Sequence, residues 1–244
     1  VEHPVCPGGW VMAFPQGGQQ NLCDLFAVEE FKDGPWLTQQ GPPGAVTWIP
    51  TYDAAIAVRP EVFVCPSDGS NPCADKDSDG VVVGKSHYYS AGSCAATGNY
   101  VLNLGTQGPP GTNYADIKYG NDGAFSYIQA FTASDFRDGL SNTFLIGEAM
   151  DVSGPDSSVV WSLGYRYSSL RTTKNPINTP PGLGITSDLY GRKLNAAFQS
   201  RHPGGAMFGF GDGHVSFISE SIAQVALDSL ATRAGGEVID ASAY

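Results

Sequence analysis

The sequence predicts one α+β domain, mainly antiparallel β-sheet with a C-terminal helix, and three observations predict it. First, two β-type runs, Ala206-Met207-Phe208-Gly209-Phe210-Gly211 and His214-Val215-Ser216-Phe217-Ile218, flank Asp212-Gly213. An Asp-Gly pair between two such runs is the strongest short-range signal for a hairpin. Second, Ile222, Val225, Ala226 and Leu230 recur at the spacing of one helical face. Third, 31 Gly and 17 Pro among 244 residues demand turns and long loops. No repeat or linker divides the chain, so residues 1–244 are read as a single domain.

The elements follow in order. Residues 1–24 lead as a loop into a short amphipathic stretch, and 25–60 hold Trp36 and Trp48 in an irregular Gly/Pro-rich excursion. Glu61-Val62-Phe63-Val64-Cys65 is a short β-type run, and an acidic loop follows it to Gly80. Val81-Val82-Val83 and His87-Tyr88-Tyr89-Ser90 read as strand pieces. Residues 105–113, with three Gly and two Pro, form a surface loop. Ala124-Phe125-Ser126-Tyr127-Ile128 is a strand leading to a turn at Asp138-Gly139. Thr143-Phe144-Leu145-Ile146-Gly147-Glu148 is a buried strand, and Ser158-Val159-Val160-Trp161 another. After the hairpin, Ser221 is expected to cap the helix with Gln224 as its capping-box partner, and Gly235-Gly236 to end it.

Composition narrows the function classes. Hydrophobic residues at 41% support a packed core. Charged residues at 15% fall below the roughly 25% of an average domain, which suits an exported surface protein better than a cytosolic enzyme. A net charge of −11 argues against nucleic acid and anionic lipid, both of which demand Lys and Arg. No stretch approaches the roughly 20 apolar residues of a membrane span.

Cys6, Cys23, Cys65, Cys73 and Cys94 show no zinc-type C-x2-C pair. An exported context favours disulfides. Cys65–Cys73, closing a short loop, is the leading pair and Cys6–Cys23 the next; five reduced, buried thiols are the alternative. Asp75, Asp77 and Asp79, followed by Gly80, resemble the opening of a calcium loop, with carboxylates at alternate positions around a hard cation. Ser86 stands where such a loop would place its closing Glu, so a group such as Asp68 would have to replace it. A solvated acidic turn is the competing reading.

His202 and Asp212-Gly213 form an H-x9-D-G pattern. As a functional pair, His202 and Asp212 would be ligands, an acid/base dyad or a recognition point. As structure, Asp212-Gly213 makes the hairpin turn and His202 braces a neighbouring loop. Asp138-Gly139 with Ser141-Asn142 reads as a turn, with an ion pair between Arg137 and Glu148 beside it. Ser141, His202 and Asp212 supply the residue types of a hydrolase, but no G-x-S-x-G elbow is present. Nucleotide-binding glycine motifs are absent as well.

Four blocks in this order, Val64-Cys65-Pro66-Ser67-Asp68, the 138–148 segment, the H-x9-D-G pattern and the 230–239 segment, resemble a large bacterial family of prepilin-like proteins, typical of planctomycete-type bacteria. The resemblance runs from about Trp10 to Ile239. It implies a fold and role similar to type IV pilins and type II secretion pseudopilins, with a basic leader and an apolar anchor helix before the head, and calcium in C-terminal loops of the major pseudopilins. Here the chain opens Val1-Glu2-His3-Pro4-Val5-Cys6-Pro7-Gly8-Gly9, and Pro and Gly exclude a long helix there. It is read as a head without its anchor, whether truncated, processed or lost.

The leading expectation is therefore a structural, assembly-forming exported protein, not an enzyme, displayed at the cell surface, outside the cell or in the periplasm. Its partners would be copies of itself or other pilin-like subunits, meeting through the loops at 33–47 and 105–115. An extracellular glycan- or protein-binding module is the first alternative and a hydrolase the second.

Overall fold

The hairpin expected at Asp212-Gly213 is present, with Gly213 at φ 94° in its turn, a setting that glycine adopts without a steric penalty. The structure, a computed structural model, describes residues 58–69, 71–74, 94–107, 120–126, 129–150, 159–161, 169–180 and 196–237, and the backbone of six short strand segments outside them. In chain order the strands are β1 (Val11–Ala13), β2 (Gln19–Asn21), β3 (Leu37–Thr38), β4 (Thr47–Trp48), β5 (Tyr100–Gly105), β6 (Phe144–Glu148), β7 (Leu170–Thr172), β8 (Thr186–Ser187), β9 (Lys193–Leu194), β10 (Gly205–Phe210) and β11 (Val215–Ser219), followed by helix α1 (Gln224–Ala231).

The fold is α+β. Five strands form one mixed sheet in the order β11-β10-β6-β5-β7. Its first three pairings are antiparallel, and β5 and β7 run parallel. β1–β2, β3–β4 and β8–β9 are separate antiparallel pairs. Among the described residues no helix is long and apolar enough to cross a membrane.

One sheet face carries the core. Phe144, Phe198, Phe208 and Phe210 are buried together, with ring centroids 4.7 Å apart for Phe144 and Phe208 and 5.1 Å for Phe198 and Phe208. Helix α1 adds Leu227, Leu230 and Ala231 to this cluster. Fully burying each of these large apolar side chains contributes about 1.5–3 kcal/mol, and each aromatic pair about 0.5–1.5 kcal/mol more. Gly147 keeps β6 close to the rings, because a Cβ there would lie 2.6 Å from Phe198 and 2.7 Å from Phe208. Asn103, fully buried on β5, donates its amide to Phe144 O at 2.9 Å and to Ala231 O at 2.8 Å. One side chain thus ties three elements together.

Several expectations are corrected. Helix α1 begins at Gln224 after Ala223, and no side chain caps it. Ser221 instead turns back to Ser219, and the Gln224 amide donates to Thr173 O and Asp228 Oδ1. The buried face of the helix is Leu227-Leu230-Ala231, while Val225 is 78% exposed. The Glu61–Phe63 run is a turn of 3-10 helix. Of the strand expected at 124–128, the described residues make only a bridge between Ser126 and Gln129. Val160 contributes a single bridge to Thr97.

Among the described residues a disulfide joins Cys73 to Cys94, not Cys65 to Cys73. The physical reason is local pairing. Cys73 bridges Ala96 in antiparallel fashion, and Ala74 N–H donates to Ala95 O at 2.9 Å. That pairing brings the Cα atoms of Cys73 and Cys94 to 5.2 Å, within normal disulfide reach. Cys65 is a free, buried thiol. Cys6, Cys23 and the 81–90 strand pieces lie outside the described residues.

Candidate functional site

Cys65 enters the site on a turn. Cys65 O accepts the N–H of Asp68 at 3.0 Å, and Pro66 occupies the second position, where its fixed φ is favoured. Asn99, just before β5, accepts the Cys65 N–H at 2.9 Å and donates to Asp68. Arg201 Nε donates to Asp68 Oδ1 at 2.7 Å. The 65–68 turn is therefore strapped to the end of the sheet and to the segment before β10.

His202 arrives from that segment. Ser200 Oγ accepts the His202 N–H at 3.0 Å and donates to Gly205 O at 2.6 Å. Gly204 takes φ 81° after Pro203, as a type II turn requires at its third position. Glu148 is the last residue of β6, only 3% exposed. Its Oε2 accepts the N–H of Met207 at 2.8 Å, which leaves Oε1 facing His202. His202 Nε2 stands 3.2 Å from Glu148 Oε1 and 3.7 Å from Cys65 Sγ. Across the sheet from Glu148 is Tyr100. Burial pushes the Tyr100 phenol up, and the neighbouring Cys65 and Glu148 push it further.

Asp212 lies elsewhere. β10, six residues and about 20 Å of extended chain, separates it from His202. Asp212 Oδ1 accepts the N–H of His214 at 3.1 Å and pairs with its Nδ1 at 2.6 Å. The backbone N–H of His214, then its imidazole, holds the Asp212 carboxyl below the usual range. The His214 ring stacks on Phe210 at 4.3 Å. The hairpin turn thus uses Asp212 and Gly213, and His202 serves a different cluster. Ser141 precedes β6 at the Phe144 end, whereas His202 meets Glu148 at the other. Ser141, His202 and Asp212 do not converge.

The expected Arg137–Glu148 pair is not formed, because β6 carries Glu148 to the far end of the sheet from the 138–142 turn. That turn instead clasps the C-terminal segment. The Asp138 carboxylate accepts from the N–H groups of Gly235 and Gly236 and from the Thr232 hydroxyl. Thr143 donates to Thr232 O at 3.0 Å. Arg233 Nη1 donates to Asn121 O and Gly123 O, and its guanidinium lies 4.0 Å from the Phe131 ring centre.

Two of the expected site residues, His202 and Asp212, are therefore placed apart, and Gly213 belongs to the turn. Asp75, Asp77 and Asp79 lie outside the described residues. Asp68, named as a possible fourth calcium ligand, is held by Arg201 and Asn99. The residues missed as site members are Cys65, Glu148 and Tyr100. The available signal was the recurrence of the Val64–Asp68, Ile146–Glu148 and His202 blocks in one series, which the structure gathers at one end of the sheet.

Residues 2–225 match a family model described as "Protein of unknown function (DUF1559)". The chain belongs to that family. Searches among curated proteins and among solved structures returned no match.

Proposed function

We propose that this member of the DUF1559 family is a structural, assembly-forming exported protein, the head of a pilin- or pseudopilin-like subunit at the cell surface, with no catalytic activity of its own. The observation that carries this reading is the uncovered apolar face at the β11 edge of the sheet. Val215 is 63% exposed, Phe217 43% and Ile146 39%. Val215 lies opposite Gly209, and Gly209 opposite Ile146, so these side chains share one face. Phe217 lies on the same face as Val215, two residues along β11. Edge strands that stay unpaired usually carry charges or proline. β11, Val215-Ser216-Phe217-Ile218-Ser219, carries neither. Among the described residues no strand pairs with its outer side. The Cys73–Cys94 disulfide supports an oxidising compartment.

Contact between heads holds the subunits together in this reading. The loops at 33–47 and 105–115, largely outside the described residues, are proposed as further contacts between subunits. Calcium at Asp75, Asp77 and Asp79 is also part of the proposal, and its chelation is expected to lower the melting temperature.

The test is the state of association. Light scattering and negative-stain imaging of the native chain should show oligomers. A Val215→Lys, Phe217→Lys double variant should be monomeric with an unchanged circular dichroism spectrum. A native chain that stays monomeric at high concentration overturns the proposal.

A further inference from the structure

We propose that Cys65, Glu148 and His202 form a binding site for one divalent transition-metal cation of the zinc class, with a fourth position open to the neighbouring cleft. The site is independent of the proposed assembly.

The spacing of the donors carries the inference. Zinc bonds nitrogen and oxygen at about 2.0–2.1 Å and thiolate sulfur at about 2.3 Å in a tetrahedron, which puts N and O ligands about 3.3 Å apart and N and S ligands about 3.6 Å apart. The observed separations from His202 Nε2 are 3.2 Å to Glu148 Oε1 and 3.7 Å to Cys65 Sγ. The third pair, Glu148 and Cys65, lies within 4.8 Å, and closes to about 3.6 Å when the ion binds; both residues are buried.

The donor set selects the cation. Thiolate and imidazole suit zinc and its neighbours, whereas calcium and magnesium demand oxygen. The ligands are also held from behind. Met207 N–H fixes the second oxygen of Glu148, and Asn99 fixes the backbone of Cys65. Such outer partners orient metal ligands.

A plain His–Glu ion pair would explain one contact, but it leaves a second observation without a reason. Gln199, 2% exposed, lines the same cleft as Cys65 and Glu148. Its Nε2 donates to Thr179 O at 2.6 Å, which identifies the other atom as the oxygen. That Oε1 is buried with no hydrogen-bond partner. A buried acceptor left unsatisfied is costly, and water held in this cleft would supply the donor.

Cobalt(II) is the probe, because a thiolate ligand gives it a charge-transfer absorption that oxygen donors do not. Titrating the native, non-reduced chain should raise this band to saturation at one ion per chain, with zinc displacing it. Cys65→Ser should abolish the band, and His202→Asn should weaken zinc binding by more than ~100-fold, beyond what loss of an outer partner costs. A Cys6→Ser, Cys23→Ser double variant retains all three proposed ligands and, with a native circular dichroism spectrum, should keep the band. It decides the matter even if Cys65→Ser fails to fold. No thiolate band in the native chain, or a band lost in the Cys6/Cys23 variant, overturns the proposal. Binding of cobalt without that band would mean oxygen or nitrogen ligands only, such as the acidic loop, and would overturn it equally.

Discussion

The carboxylate of Asp138 accepts the backbone N–H of Gly236 at 2.8 Å across 98 residues of chain. With Gly235 and Thr232 it makes a clasp between the turn before β6 and the segment after α1. Asp138→Ala should destabilise the fold by about 1–2 kcal/mol, below the cost of a fully buried charged acceptor because the two glycines are exposed and water can reach them. Denaturant unfolding with an unchanged slope checks it. An unaltered midpoint would mean that the clasp contributes nothing.

Gly147→Ala should cost about 1–3 kcal/mol, since the added methyl meets two buried aromatic rings. The clash involves Phe198 and Phe208 at under 3 Å. A companion Phe208→Leu change should recover part of the loss by making room. A Gly147→Ala variant as stable as the native chain would show that the rings move freely.

The Cys73–Cys94 bridge should appear as one linked peptide pair in non-reducing mass mapping. Its removal by Cys73→Ser with Cys94→Ser should cost about 2–4 kcal/mol. A peptide linking Cys65 to Cys73 would contradict the arrangement seen here.

The carboxyl of Asp212 should titrate below its ordinary 3.8, because the His214 backbone N–H and imidazole favour its charged form. A folded value below the unfolded one means that the stabilisation is present in full above 3.8 and is lost as pH falls through the lower folded value. Carboxyl-carbon NMR of the folded chain measures this. A midpoint at or above 3.8 contradicts it, and Asp212→Asn should remove this component of the acid dependence.

The hairpin, β6 and the C-terminal helix were legible because their signals are local: Asp-Gly between β-type runs, a continuous apolar stretch, a helical period. The two strands beside β6 on its other side were not. β5, Tyr-Val-Leu-Asn-Leu-Gly, is buried through Asn103 and Leu104 and shows no clean alternation. β7 has only three residues, with Arg171 fully buried at its centre. The helix face was misread because Val225 and Leu227 are both apolar, and only tertiary packing decides between them. The site was harder still. Cys65 lies 137 residues from His202, and no spacing rule relates residues that meet from two turns and the end of a strand. The nearest cysteine in sequence, Cys73, suggested a bridge that an antiparallel pairing with Ala96 gives to Cys94 instead.

Asn103 donates to a carbonyl 41 residues ahead of it and to another 128 residues ahead. An interior strand that waits for partners so distant adds non-local contacts, and such contacts slow folding, because the entropy of closing long loops comes before the reward of contact. On an emerging chain β5 would lack both neighbouring strands until residue 172 is available, and Asn103 its second acceptor until residue 231. Completion of the sheet and its core therefore waits for segments far along the chain, and unpaired strands are open to aggregation in that interval.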